Sequence, residues 1–320
     1  MRLQGFSSLL GKMTDFIVRP MAHKDWPETG ELIHSSLNYW YATKGSGPIL
    51  TCDPSHTQLH CKVNEDLDPG RCLLTIAPSG RIAACCFYHL RSTHVSLGIM
   101  ACHPSYYGSG AARLLLEEII DFAKKHDKPL RLVSSAINVD SFSLYSKTGF
   151  TPHAIFQDMF IDVPKEGLGA PQVEGVTVRD GRIEDAPAMA ALEMELSGIE
   201  RENDFRYILA NEDGYWHVSV TENDDGGLNG FLCSITQPAC PLIGPGAARE
   251  DLQAAALLRK VLDHKPGRRR IWLVPCDRRE LIDYCYSWGA RNCELHLAQV
   301  IGEAQPLSGV VLPSFMPETW

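Results

Sequence analysis

The chain has 320 residues, of which 44% are hydrophobic and 22% are charged, and its formal net charge is −9 at pH 7. This length favours two domains, and this composition is that of an ordinary globular protein in which each domain can build a full core. The acidic balance argues against nucleic acid as the main partner, because the longest basic tract is the run of three arginines at 268–270. That run leads into an apolar strand, and we interpret it as local surface.

The cysteines and the N-terminal segment indicate the compartment. The 11 cysteines include no C-x-x-C pair, and several lie inside apolar runs, which is typical of reduced, buried thiols in a cytoplasmic protein. Residues 1–15 are too short and too polar a segment for a signal peptide or a membrane span, and we predict a flexible leader there. No membrane association is expected.

Strands and helices alternate through the first half of the sequence. Apolar alternation and turn residues predict strands at 16–20, 72–76, 82–90, 93–102, 131–137 and 151–163. Helical spacing predicts helices at 24–39, 110–126 and 138–149. Residues 41–69 are rich in glycine, proline, histidine and aspartate and predict a long loop with one short helix at most. The order of elements favours a mixed sheet with helices on both faces.

One pair of histidines has the spacing of a metal motif. His56 and His60 stand four residues apart, as the two histidines of the zinc motif H-E-x-x-H do. Thr57 occupies the place of the glutamate, and the segment has the composition of a loop. We therefore predict no metal site.

The stretch from 98 to 116 is the most informative one, and it reads GIMACHPSYYGSGAARLLL. It predicts a strand, a glycine turn and a helix. Glycines before a helix allow a ligand to approach the backbone, and the first-turn N–H groups form an anion site, so a phosphate or pyrophosphate is the expected ligand. The alternative is an ordinary turn in which glycine is present only because a side chain would not fit. The stretch lacks the lysine of a P-loop and the third glycine of a dinucleotide loop.

The pattern His103-Pro104-x-x-x-Gly108-x-Gly110-x-Ala112 resembles the acyl-coenzyme A loop of the GNAT acyltransferase superfamily. In that family, backbone N–H groups of a Q/R-x-x-G-x-G/A loop hold the coenzyme pyrophosphate. Here Tyr107 lies near the place where Gln or Arg is usual. A second block, Asn138-x-x-Ser141-x-x-Leu144-Tyr145, resembles the family's second signature, in which a tyrosine lies beside the coenzyme sulfur.

The resemblance implies acetyl-CoA as the acyl donor. The residues that it assigns to coenzyme binding are Met100, Cys102, Tyr107, Gly108, Ser109, Gly110, Ala111, Ala112, Asn138 and Tyr145. It also implies that the region before the second strand forms a wall of the acceptor pocket, for which Trp40, Tyr41 and His56 are candidates. Each of these three is open to the plainer interpretation of a solvent loop with an aromatic anchor.

The second half repeats the order of the first, with strands and helices from 176 to 303. The predicted fold is therefore α/β, with two tandem GNAT-like domains. Its parts are a leader (1–15), an acyl-CoA-binding domain (16–163), a linker (164–175), a second domain (176–303) and a C-terminal tail (304–320).

The two copies differ at the positions that would bind the coenzyme. Asp251 and Gln253 stand where the first copy has Gly108 and Gly110, and the acid would repel a pyrophosphate. Cys285 stands opposite Tyr145. We predict that the second copy has lost coenzyme binding and supports the first.

Direct acyl transfer to an amine needs a proton donor for the leaving thiolate and a way to deprotonate the amine. Tyr145 is the predicted acid, because a phenol stays protonated at neutral pH. The strand that ends at Pro104 carries no carboxylate, so His94 is the leading candidate for the base, with Ser96 on the same strand face. A core tyrosine and a structural histidine are the plainer interpretations.

The predicted function is that of an N-acetyltransferase that moves an acetyl group from acetyl-CoA to a primary amine of a small molecule or peptide. The alternative is a non-catalytic protein that binds or senses acyl-CoA. A cytoplasmic monomer or homodimer without a metal is expected.

Overall fold

The computed structural model describes residues 15–45, 47–317 and 320. They form two compact units, the first made of residues up to 89 with 97–127 and the second made of residues 90–96 with 128–320. The predicted leader lies outside the described residues except for Asp15. No helix in the described ranges is both long enough and apolar enough to cross a bilayer.

The first unit contains four strands and three helices. Its elements are β1 (Ile17–Pro20), α1 (Trp26–Thr43), α2 (Gln58–Leu67), β2 (Cys72–Ile76), β3 (Ile82–Leu90), β4 (Val95–Cys102) and α3 (Ala111–Lys125). Strands β1, β2 and β3 pair antiparallel, and the hairpin between β2 and β3 turns at Gly80, whose φ is +84°. Buried side chains such as Ile33, Leu74 and Phe87 form the core of this unit.

Helix α3 begins and ends within one residue of its prediction. Its buried residues recur at helical spacing, with Ala111, Leu115 and Ile119 on the face that packs inward. The Thr75 hydroxyl donates to the Ala111 carbonyl at 2.9 Å, which fixes the start of the helix against β2. Lys124 and Lys125 lie in the last turn, where positive charge is favourable.

The region from 41 to 69 is more helical than its composition predicts. Asp53 accepts a hydrogen bond from the Ser55 N–H at 2.9 Å and starts a 3-10 turn at Pro54–Thr57, which continues into α2. The Thr57 hydroxyl donates to the Gly30 carbonyl at 2.6 Å and docks the turn on α1. The prediction of a long loop with one short helix thus allowed for α2 but not for the 3-10 turn before it. His56 lies in that turn and His60 in α2, because tertiary contacts stabilise helical structure that local composition does not favour.

In the described residues of the second unit, eleven strands and α-helices come from the second half of the sequence and three from the first half. Its elements are β5 (Leu130–Ser135), α4 (Val139–Lys147), β6 (Thr151–Asp162), β7 (Val178–Asp180), α5 (Ala186–Ser197), α6 (Glu202–Ala210), β8 (Trp216–Glu222), β9 (Leu228–Ile235), β10 (Ile243–Ala248), α7 (Asp251–Leu262), β11 (Arg269–Pro275), α8 (Arg279–Ser287), β12 (Arg291–Ile301) and β13 (Val310–Leu312). The first two residues of β4 also belong here and pair in parallel with β5.

Two long strands of this unit, one from each half of the sequence, pair with strands of the other half. Strand β12 lies between β5 and β6, antiparallel to both, and β6 pairs on its other edge with β11. A closing strand of each half is therefore paired with strands of the other half. Apolar residues from both, including Phe156 and Val300, share one core with Leu273.

The remaining strands form a second sheet in the order β13-β10-β9-β8-β7. Strand β13 and Trp320, both within the predicted tail, are buried. Arg270 is 1% exposed and donates to the Ile235 carbonyl at 2.9 Å. The interpretation of residues 268–270 as local surface is therefore wrong for Arg270, because its position in β11 points it inward.

Candidate active site

The glycine loop joins β4 to α3 through two left-handed residues. After β4 ends at Cys102, a 3-10 turn at Pro104–Tyr106 begins, and His103 Nδ1 accepts from the Ser105 N–H at 3.2 Å. Gly108 and Gly110 then have φ of +72° and +94°. Residues with a Cβ rarely adopt this conformation, so glycine is needed at both positions for the backbone path itself.

The start of α3 is open at the backbone. Gly110 is its N-cap and has no side chain to bond the first turn, and the Ala111 N–H donates to the Ser109 hydroxyl in a long hydrogen bond of 3.4 Å. A Cβ added to Gly108 would meet nothing within 4 Å. Unpaired first-turn N–H groups beside open space are what an anion needs at a helix N-terminus.

Several predicted coenzyme and acceptor residues lie near this loop in the first unit. Tyr107 is 46% exposed, and its ring centroid lies 6.1 Å from that of Tyr39 on α1. Burial of its hydroxyl raises the pKa of Tyr107 to about 12. Trp40 and Tyr41, half-buried at the end of α1, contact each other edge to face at 4.9 Å. The end of α1 and the glycine loop are thus brought together.

The other predicted residues of the first unit differ in exposure. Met100, Cys102, Ser109 and Ala112 are half-buried, and Ala111 is buried. Burial raises the pKa of the Cys102 thiol to about 11, so this cysteine is not a reactive thiolate at neutral pH. His56 is exposed on the 3-10 turn before α2, whereas His60 is buried within α2.

The second signature lies in the second unit, on α4. Asn138 is the N-cap of this helix, and its Oδ1 accepts from the Ser141 N–H at 3.1 Å. Tyr145, two residues before the end of the helix, is 7% exposed, and its ring centroid lies 5.6 Å from that of Phe150. The helix ends as predicted at Gly149, whose φ is +104°.

His94 has a defined hydrogen-bonding partner. The Thr93 hydroxyl donates its one proton to the Gly198 carbonyl at 2.6 Å. The Thr93 oxygen therefore acts as the acceptor in its hydrogen bond with His94 Nδ1, which lies 2.9 Å away. This arrangement assigns the proton to Nδ1 and the lone pair of the neutral ring to Nε2. His94 and Ser96 are both 0% exposed, and the Ser96 hydroxyl has no hydrogen-bond partner among the described residues.

The second copy closes the positions that the first copy leaves open. The Glu250 N–H at the start of α7 donates to Gln253 Oε1 at 3.0 Å, and Asp251 Oδ2 accepts from the Leu281 N–H at 3.2 Å. Side chains therefore occupy the first turns of α7 and α8. Cys285, opposite Tyr145 in the sequence repeat, is buried, and burial raises the pKa of its thiol to about 12.

One cluster of ionisable side chains was not predicted from the sequence. Asp158 on β6 and Glu294 and His296 on β12 are all less than 9% exposed, and their nearest ligand-type atoms all lie within 4.8 Å of one another. Burial, together with Glu294, raises the pKa of Asp158 to about 8, and burial lowers that of His296 to about 4. The spacing of Glu294 and His296 places them on one strand face, but only the pairing of β6 with β12 brings Asp158 to them.

Comparison with known proteins agrees with this fold. Residues 36–150 match the model of the acetyltransferase (GNAT) family. No curated protein matches the sequence well enough to count as a relative. Among solved structures, a putative acetyltransferase from Pyrococcus horikoshii is 14% identical with a TM-score of 0.72, over 91% of this chain and 90% of that one.

Two further structures are similar over nearly their full length. A GCN5-related N-acetyltransferase from Sphaerobacter thermophilus is 19% identical with a TM-score of 0.63, over 92% of this chain and 97% of that one. A tandem GNAT protein from the clavulanic acid biosynthesis pathway is 16% identical with a TM-score of 0.61, over 91% and 100%. Residues 36–150 thus match the GNAT acetyltransferase model, and the chain shares the fold of these GNAT structures, one of which is a tandem protein.

Proposed function

We propose that this protein is an N-acetyltransferase that uses acetyl-CoA to acylate a primary amine of a small molecule or peptide. The observation that carries the proposal is the start of α3, where two left-handed glycines lead into an uncapped first turn. The GNAT family as a whole supports acyl transfer. The donor and the class of acceptor are our inference.

The residues of the first copy suit the coenzyme's pyrophosphate. The backbone N–H groups at Ala111 and Ala112 belong to the first turn of α3, and the helix dipole adds to their attraction for an anion. At Gly108 the lack of a side chain leaves the approach open among the described residues. The resemblance assigns the rest of the coenzyme to Met100 and Cys102 on β4 and to Asn138 and Tyr145 at α4.

In the proposed reaction, the amine nitrogen attacks the thioester carbonyl carbon, a C–N bond forms and the C–S bond breaks. The Tyr145 hydroxyl donates its proton to the leaving sulfur. Nε2 of His94 takes the proton that the amine loses. It can do so because the hydrogen bond from Nδ1 to Thr93 keeps the ring proton on Nδ1 and leaves the lone pair on Nε2. Tyr145 then regains a proton from solvent, and His94 returns its own to solvent.

A second function, binding or sensing of acyl-CoA without turnover, is favoured by one specific observation. His94 and Ser96 are both fully buried, and β4 carries no carboxylate that could act in their place. A group that accepts a proton from an amine must be reached by it. The two functions share the coenzyme site and differ only in the chemistry that follows.

An assay of free thiol release separates them. Purified protein would be incubated with acetyl-CoA and a panel of primary amines, including polyamines, amino sugars and peptides. Amine-dependent release, with acetylated product identified by mass spectrometry, is the expected result. The matched control is Gly110→Glu, which places a side chain and a negative charge at the start of α3. Tight binding of acetyl-CoA without release by any amine would favour the sensing function.

A further inference from the structure

The cluster of Asp158, Glu294 and His296 is formed by an irregularity in strand pairing. Residues Asn292 and Glu294 of β12 face Met159 and Asp158 of β6, so the intervening Cys293 is an extra residue, a β-bulge. The bulge places Glu294 directly opposite Asp158. His296, two residues on, lies on the same face of β12 as Glu294.

Two buried carboxyl groups that face each other across a strand pair cannot both be ionised without a large electrostatic cost. No lysine or arginine among the described residues forms an ion pair with Asp158. The neighbouring basic group is the His296 ring, whose Nδ1 lies 3.5 Å from Asp158 Oδ2. That distance is longer than the roughly 2.7–3.2 Å of a hydrogen bond. Asp158 Oδ1 and His296 Nδ1 have no hydrogen-bond partner in the described part of the chain, although Asp158 and His296 are only 6% and 4% exposed.

We propose that Asp158, Glu294 and His296 bind one divalent first-row transition metal ion. Two ligand atoms bound tetrahedrally at about 2.1 Å from a metal are about 3.4 Å apart, which is close to the observed separation of Asp158 Oδ2 and His296 Nδ1. A dication between Asp158 and Glu294 would allow both carboxyl groups to be ionised. It would also coordinate buried polar atoms that otherwise have no hydrogen-bond partner among the described residues.

The surroundings of the cluster fit a metal centre. The Ser135 hydroxyl at the end of β5 donates a hydrogen bond to Glu294 Oε2. Hydrogen bonds of this kind, from residues that do not touch the metal, orient the carboxylates that bind it. Two carboxylates and one imidazole suit Zn²⁺ or Mn²⁺ rather than a thiolate-seeking ion. Three protein ligands leave a further position for water.

Metal content of the full-length protein tests the site directly. Protein treated with a chelator and then dialysed against ZnCl₂ or MnCl₂ would be analysed by inductively coupled plasma mass spectrometry. We expect one ion per chain. Asp158→Asn, Glu294→Gln and His296→Gln, each of nearly the same size as the original, should each weaken binding at least tenfold by calorimetry. Circular dichroism would establish that each variant is folded.

Two control variants isolate the cluster from other ligands. Asp162→Asn changes an exposed carboxylate on the same strand that is paired with Arg269, and it should keep full metal binding. Cys293→Ser removes the nearest thiol and should also keep it. Absence of bound metal in the wild type, or binding that persists in folded Asp158→Asn and His296→Gln proteins, would overturn the proposal. The measurement involves no acyl transfer, so its outcome is independent of the proposed function.

Discussion

Asp251 on α7 accepts a hydrogen bond from the backbone N–H of Leu281 in the first turn of α8, at 3.2 Å. The residue that replaces the first glycine of the loop thus binds a helix N-terminus of its own protein. In the first copy, the corresponding Gly108 leaves open space. This difference in chemistry is the basis for expecting a single coenzyme site.

Acetyl-CoA is therefore expected to bind with a stoichiometry of one per chain. Gly110→Glu should abolish binding, because the new side chain lies in the approach path, adds negative charge and forces an unfavourable φ on a non-glycine residue. Isothermal titration calorimetry would measure stoichiometry and affinity. Two sites of similar affinity would contradict the loss of binding in the second copy.

Asp251→Ala is the matched control in the second copy. Its removal of the hydrogen bond to Leu281 should lower the free energy of unfolding by about 1 kcal/mol, as for the loss of a helix cap. Coenzyme affinity should stay at the wild-type value. A large loss of affinity would show that α7 takes part in binding after all.

The sequence predicted individual helices and strands better than it predicted the tertiary contacts between them. Helix α3 was predicted within one residue at each end because glycine marks its start and its apolar residues recur on one side. Strand β10, with the sequence IGPGAA, was missed because glycine and proline give no strand signal; β9 and β13 on its two edges hold it in place. Helix α6 was missed as well. It packs against α5, and its buried Phe205 has its ring centroid 4.9 Å from that of Phe231 on β9. Local periodicity over nine residues is too short to indicate the helix.

We expect His94 to be the general base, so its substitution should lower kcat. His94→Gln should lower kcat by roughly 10²-fold or more, the scale of general base catalysis, with coenzyme affinity unchanged. Thr93→Val should lower kcat less, because the imidazole loses the acceptor that holds its proton on Nδ1. Steady-state kinetics and calorimetry would be run on both.

Ser96→Ala is the control on the same strand, since the Ser96 hydroxyl has no hydrogen-bond partner to lose among the residues that the structure describes. Its kcat should stay near that of the wild type. The reverse pattern, with Ser96→Ala inactive and His94→Gln active, would assign the role to the serine. Thermal unfolding of each variant would separate chemistry from stability, because both residues are fully buried.

Acid should destabilise the fold through a stacked histidine pair. The rings of His217 and His264 lie 3.8 Å apart and nearly parallel, and burial, followed by His264, Lys260 and Arg270, lowers the pKa of His217 to about 4, although Asp180 acts in the opposite direction. The neutral ring is thus favoured in the folded state. The contribution of His217 to the free energy of unfolding should be constant above pH 6.5 and fall between pH 6.5 and about 4, by an amount on the order of 2 kcal/mol.

Urea unfolding at pH 7.5 and pH 5 would measure this loss. His217→Gln should reduce it, whereas His56→Gln, which changes an exposed histidine, should not. Protonation of Asp158, whose pKa is raised, stabilises the fold as the pH falls, so the comparison is made between variants rather than with an absolute value. An equal loss in wild type and His217→Gln would exclude His217 as the cause.

The ionisable cluster shows what sequence reasoning could not supply. Glu294 and His296 have the two-residue spacing of one strand face, a signal that was present. Asp158 lies far away in the sequence, and its partner strand is set by long-range pairing that periodicity does not encode. The bulge at Cys293, which aligns Glu294 with Asp158, has no sequence signature of its own.

Tyr145 is expected to act in turnover and not in binding. Tyr145→Phe keeps the ring and its contact with Phe150, so folding and coenzyme affinity should be nearly unchanged, whereas loss of the proton donor should lower kcat by roughly 10²-fold or more. The matched control is Tyr286→Phe on α8, where the hydroxyl donates to Gln157 Oε1 at 3.0 Å; this variant should keep full activity. Both kcat and coenzyme affinity would be measured with an acceptor from the amine panel. An unchanged kcat in Tyr145→Phe would leave this tyrosine a packing residue, and a weakened affinity with normal kcat would assign it to binding.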